Sequence, residues 1–190
     1  MFKLLAVATP VGLWWATSDV QRLAVAGDEF DRYGVTLSDA EGALLKEAAA
    51  AGLRDPVQLF ASAFYRSPSF ALERVGLALL WWEWNSNGDL YGREWKVGSS
   101  VGGVFTVVRR SRTVVNLAFD MGRRSGQSEL AVAGRQLQFA TYLSDAEDGA
   151  LIRAMGVFHG VYSRVLLAGA KFKLMRDARS IVEAGKGRHS

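Results

Sequence analysis

The run Asn85-Ser86-Asn87-Gly88-Asp89 divides the chain more sharply than any other segment. Gly takes positive φ without a Cβ clash, and Asn, Asp and Ser bond their own backbone, so the run predicts a turn. On its N-terminal side the apolar residues fall at helical spacing. Ser38-Asp39-Ala40-Glu41 has Ser where an N-cap belongs and Glu three residues later. That capping box predicts an Ala-rich helix stopped at Gly52. Pro56 suits a first helical turn, and Phe60 and Phe64 then share a face. Leu72, Val75, Leu79 and Trp82 form a stripe that predicts a helix over 69–82.

After the turn the pattern changes. Residues 95–101, 104–109 and 113–119 are rich in β-branched and aromatic side chains, separated by Gly102-Gly103 and Arg110-Ser111-Arg112. They predict a three-stranded antiparallel meander, with 79–84 or Leu90-Tyr91 available as a further strand. A helical pattern returns over 127–142. Ser144-Asp145-Ala146-Glu147 is a second capping box and opens the longest helical stretch, to residue 184. Within it Leu151, Met155, Phe158, Tyr162, Val165, Gly169 and Phe172 make a heptad-like seam, and Gly156 and Gly160 permit close approach. The last helix is then the central core helix or a self-association face for a homo-oligomer. The expected fold class is α+β: N-terminal helices, a central three- to four-stranded antiparallel meander, and long C-terminal helices. At 190 residues a single domain over 1–190 is expected, with an apolar N-terminal segment 1–18 and a basic, mobile tail 185–190.

The N-terminus begins Met1-Phe2-Lys3 and runs through an apolar stretch to Trp14, Trp15 and Ala16. It is shorter than the roughly 20 residues a spanning helix needs. Three readings fit it: a core-packing segment, an anchor at the inner-membrane surface with the Trp pair at headgroup level, or a signal sequence. The expected location is cytoplasmic, or peripheral on the cytoplasmic membrane face.

The chain has no cysteine, which excludes disulfides, thiol catalysis, iron–sulfur clusters and thiolate zinc sites. Its two histidines, His159 and His189, exclude His-rich metal centres. His159 lies one turn from Ser163 but without a nucleophile-elbow motif, and reads as structural. The Gly-rich stretch 98–103 lacks the Lys-Ser/Thr ending of a phosphate loop and joins strands, so it reads as a turn. Neither Asp28, Glu29 and Asp31 nor Asp145, Glu147 and Asp148 fits a calcium-loop pattern. No cofactor and no metal is expected. Carboxylates and arginines are the chemistry that remains.

The charge is unevenly placed. Residues 1–70 carry six basic and eight acidic groups, residues 71–135 nine and six, and residues 136–190 eight and five. Arg109, Arg110 and Arg112 crown the hairpin expected between the second and third strands, and Arg123 and Arg124 follow the last strand. All five are Arg, whose planar fork matches phosphate or carboxylate. A basic ribbon tip suits a nucleic-acid backbone, or an acidic protein surface. The alternatives are a solvated tip or pairing with the acidic N-terminal third. Gly122-Arg123-Arg124 partly resembles the Gly-x-Arg-Arg box of the ParB/sulfiredoxin fold, which includes DNA-binding and plasmid fertility-inhibition proteins. The match spans three residues and lacks the one between Gly and the Arg pair, so it assigns no family.

Glu83, within Trp81-Trp82-Glu83-Trp84, is the residue placed as a general acid would be, since indoles disfavour its charged form. With Asp89 or Glu94 as the second carboxylate, the order helix, sheet, helix matches a lysozyme-like arrangement. The leading expectation is nonetheless a binding or accessory protein that meets an anionic partner, above all nucleic acid, through the Arg hairpin and the basic C-terminal half. A membrane-proximal accessory or inhibitory protein acting by protein–protein contact comes second, and a glycan hydrolase using Glu83 third.

Overall fold

The computed structural model describes residues 17–25, 29–71, 89–90, 93–101, 103–120, 125–143 and 149–187, with backbone alone at 29 and 149–158. Strands β1 (Val20–Arg22) and β2 (Glu29–Thr36) come first. Helices α1 (Asp39–Ala51) and α2 (Pro56–Tyr65) follow. Then come β3 (Ser100–Val101), β4 (Phe105–Arg110), β5 (Val114–Asp120), β6 (Ser125–Ala133), β7 (Gln136–Leu143) and helix α3 (Gly149–Lys186). The strands form one antiparallel sheet in the order β1-β2-β7-β6-β5-β4-β3. Strands β3 to β7 therefore meander, and β2, from the far end of the sequence, closes onto β7.

Period-two alternation decides which side of the sheet the helices cover. Tyr33 and Val35 of β2, Leu137 and Phe139 of β7, Leu130 and Val132 of β6, and Val115 and Leu117 of β5 are all buried on one face. The opposite face carries Arg32, Gln138, Glu129 and Asn116. Register places Arg32, Ala140, Glu129, Asn116 and Arg109 side by side across five strands. Ala140 is small, so Arg32 reaches over β7 to Glu129 at 3.1 Å, while also donating to Gln138 at 2.7 Å. The other Glu129 oxygen accepts from Asn116 at 3.3 Å.

The expected three- to four-stranded meander is thus wrong: the sheet has seven strands, and two of them precede the helices. Long C-terminal helices in the plural are wrong too. The helix expected over 127–142 is the β6–β7 hairpin, with Ala133 opposite Gln136 and Gly134-Arg135 as a two-residue loop. Gly134 has φ +62 as the first loop residue, the position that a type II′ hairpin turn reserves for Gly. The strand expected over 95–101 contracts to Ser100–Val101. Trp95 instead sits at φ +54 with its indole fully buried and bonded to Ser62. The helix expected over 69–82 and the second capping box at 144–147 fall almost wholly outside the described residues, as does the segment 1–16.

The first capping box forms: Ser38 accepts from the Glu41 amide at 3.2 Å, and Glu41 accepts from the Ser38 amide at 2.9 Å. Helix α2 is apolar all round because it lies between the sheet and α3, and every residue from Leu59 to Tyr65 is buried. Its aromatic rings meet those of the strands edge-on or tilted, Phe64 against Phe139 at 5.0 Å and Tyr65 against Trp95 at 5.5 Å. Such pairs add about 1 kcal/mol each beyond their buried area. Helix α3 packs on α1, α2 and β2 through Leu166, Leu167, Ala170, Leu174, Ala178 and Val182. That stripe is rotated from the seam read in the sequence, whose Phe172 is 66% exposed. Gly160, one of the two spaced glycines, takes the Tyr33 hydroxyl against its backbone. Among the described residues no helix is long and apolar enough to cross a membrane.

Gly126 begins β6 where a Cβ would press into the Tyr142 carbonyl oxygen and the Phe119 ring. A backbone atom cannot rotate away, so Gly126→Ala is expected to cost about 2 kcal/mol. A urea unfolding curve with a lowered midpoint and unchanged slope checks it.

Candidate anion-binding cleft and hairpin

The β4–β5 hairpin holds three of the five singled-out arginines, and a bulge sorts them. Val107 pairs with Leu117, but Arg109 pairs with Asn116 and Arg110 with Val115, leaving Val108 as the extra residue. The added residue flips every later side chain to the other face. Arg109 therefore joins the open face of the sheet and is exposed, while Arg110 turns to the helix side. There it donates to Asp55 at 2.7 Å, at the start of α2. Arg112 stands exposed at the hairpin tip. The tip is held by Ser111, whose hydroxyl accepts from the amides of Thr113 and Val114. Arg109 and Arg112 make no side-chain ion pair among the described residues.

Arg110 and Asp55 form one wall of a cleft of about 760 Å³ between the α1–α2 connection and the loop before β3. Arg54, Arg93 and Lys96 line it as well, with Gln58, Glu94 and Leu53. Arg93 donates to the Ser100 carbonyl, and Gln58 to the Glu94 carbonyl at 2.9 Å, which fixes this loop against α2. Four cations thus meet two carboxylates, and each carboxylate is already bonded to one cation, Asp55 to Arg110 and Glu94 to Lys96. Among the described residues no aromatic side chain lines the cleft. Leu53 stands at its lip, 94% exposed and at φ +49. A branched side chain in the left-handed region costs about 1–2 kcal/mol, and here burial returns nothing for it.

The remaining sequence candidates are placed less favourably. Arg123, Arg124 and Glu83 lie outside the described residues. Asp89 is exposed. Glu94 is held below its ordinary value by its hydrogen bond and charge contact with Lys96. A depressed carboxylate keeps its ion pair above the ordinary Glu value and loses it as pH falls, the reverse of what a general acid needs. The Gly-rich stretch forms a turn in which the Gly98 amide donates to the Val107 carbonyl at 2.7 Å, with Gly98 at φ +87 and Gly103 at φ +72.

Three lysines of α3 are taken up in ion pairs. Lys171 bonds Asp19 at 2.9 Å and lies 3.6 Å from Glu41, and Lys186 lies 3.6 Å from Glu47. Asp177 receives both Lys173 and, at 3.0 Å, Arg66. The acidic N-terminal third meets lysines of α3 at Asp19, Glu41 and Glu47, and one hairpin arginine, Arg110, at Asp55.

Asp31 was read only as part of a charge run, and the structure gives it a different setting. It is 3% exposed, beneath α3, with one oxygen 2.8 Å from His159 Nδ1. Ser163 Oγ lies 3.2 Å from the same nitrogen. A catalytic triad needs the acid on Nδ1 and the hydroxyl on Nε2, so this set orients the ring and does not relay a proton to Ser163. Burial and the Asp31 charge push the Tyr33 phenol up, against the opposing pull of Arg22 and Arg164. Among the described residues no group of three or more His, Asp or Glu side chains could hold a metal ion.

No protein-family model, curated protein or solved structure matches this chain.

Two outcomes follow from these positions. Leu53→Gly is expected to stabilise the protein by about 1 kcal/mol, by removing the left-handed strain at an exposed site, and a rise in Tm checks it. His159→Ala leaves a buried carboxylate without its partner and is expected to cost about 2 kcal/mol, with part recovered when Asp31→Asn is added. Urea melts of the two single variants and the double variant measure that recovery.

Proposed function

We propose that the protein is a binding module for a polyanionic partner, nucleic acid fitting best, that grips the phosphate backbone with the β4–β5 hairpin and the cleft beside it. The observation that carries this reading is the hairpin's charge: Arg109 and Arg112 are exposed on it, and neither makes a side-chain ion pair among the described residues. Arg112 stands at the hairpin tip and Arg109 on the open face of the sheet, while the cleft on the helix side is lined by Arg54, Arg93, Lys96 and Arg110. The pairing of α3 lysines with Asp19, Glu41 and Glu47 takes Lys171 and Lys186 out of that interface.

The chemistry of the lining also says what kind of recognition is on offer. Among the described lining residues the cleft has no aromatic ring on which to stack unpaired bases. Guanidinium and ammonium groups bind phosphate oxygens, which position a partner and carry no sequence information. Leu53 adds a single apolar contact at the lip, suited to a sugar face or a base edge.

Binding of a fluorescent duplex of arbitrary sequence across a salt series tests the reading. Affinity is expected to fall steeply with salt and to be the same for a scrambled duplex. The Arg109→Gln, Arg112→Gln double variant is expected to lower the slope of log affinity against log salt by about two. Absence of binding at low salt, or an affinity indifferent to salt, overturns the proposal.

A further inference from the structure

At the opposite edge of the sheet from the hairpin, β1 and α3 enclose a smaller crevice of about 330 Å³. Thr17, Ser18, Val20, Gln21, Arg22 and Arg164 line it, with no carboxylate among them. Register sets Arg22 directly opposite Tyr33, and the Arg164 guanidinium lies over the Tyr33 ring at 5.7 Å from its centre. Both cations are close enough to act on the buried Tyr33 hydroxyl. Stacking on a ring face fixes the plane of a guanidinium and leaves its N–H edge free to bond.

Two acids of the neighbouring described segments are engaged elsewhere. Asp19 bonds Lys171, and Asp31 bonds His159. Neither Arg22 nor Arg164 forms an ion pair among the described residues. The guanidiniums of Arg22 and Arg164 therefore line a concave space that bears positive charge. A tetrahedral dianion suits two such forks, because each can bond two of its oxygens at once.

We infer that the β1–α3 crevice is a binding site for a phosphoryl group, either inorganic phosphate or the phosphate of a small monoester. The site is independent of the hairpin interface and does not rest on the nucleic-acid reading.

Calorimetric titration of the full chain with inorganic phosphate, with AMP and with malonate, at ionic strength matched by sodium chloride, tests it. Saturable phosphate binding is expected, weakened about tenfold or more by Arg22→Gln and by Arg164→Gln. The Arg109→Gln, Arg112→Gln variant is expected to bind phosphate as the wild type does. Arg22→Lys, which keeps the charge but loses the fork, is expected to recover only part of the affinity. Equal binding of phosphate and AMP assigns the site to the phosphoryl group alone. Tighter AMP binding assigns it to a monoester whose carrier fills the rest of the crevice. The inference is overturned if no saturation is reached by about 10 mM phosphate, if malonate binds and phosphate does not, or if both crevice variants bind as the wild type. Circular dichroism of each variant separates a lost site from a lost fold.

Discussion

Everything in this fold depends on β2 reaching β7. The two strands are more than 100 residues apart in sequence, and Arg32 bonds Gln138 across that gap. Without the pairing the meander would end at β7 with its unbonded edge open, the kind of edge that recruits other chains. With it, α1 and α2 become a connection that must fold back over one face, and α3 returns across them. The pairing also sets Asp31 beneath α3, where it is buried and needs His159, and Tyr33 beneath Gly160. A pairing of such sequence separation forms only after a long loop is closed, so folding is expected to be slower than the helix content alone would imply.

Charge is sorted by the same geometry. Bringing the N-terminal third against α3 places Asp19, Glu41 and Glu47 beside Lys171 and Lys186, and exposed pairs of this kind are worth little for stability. Their larger effect is on the surface potential, since they cancel acid against base along α3. One inserted residue, Val108, decides which of Arg109 and Arg110 faces the open side of the sheet and which braces α2.

What could be read in advance was local. The Ser38 capping box, the Pro56 helix start and the two strands around Arg110-Ser111-Arg112 depend on neighbouring residues, and all are present. The 127–142 segment was misread because Gln, Leu and Ala favour helices. Yet Leu130, Val132, Leu137 and Phe139 alternate about Gly134-Arg135, and that alternation with a Gly-x loop was the signal to follow. Strand β2 was missed because its core-facing row begins with Asp31, a charged residue whose burial makes sense only once His159 is known to lie above it. The five arginines were seen as one group, whereas a bulge, invisible to propensity, splits them. The cleft itself draws on α1, α2, the loop before β3 and the end of β4, and no pattern within one segment foretells that meeting.

The sheet order also separates the two basic surfaces. Strand β1 is five strands from β4, about 24 Å at the usual interstrand spacing. The Debye length at physiological salt is about 8 Å, so charges at one edge are screened from those at the other. A phosphoryl group between Arg22 and Arg164 therefore cannot neutralise Arg109 or Arg112, and a polyanion on the hairpin cannot fill the crevice unless it is long enough to cross the sheet. Any coupling between the two would have to pass through α3, which bears Arg164 at one end of its packed stripe and Asp177, the anchor for Arg66 behind α2, near the other. That helix is closely packed along its buried side and forms a common frame between the two basic surfaces.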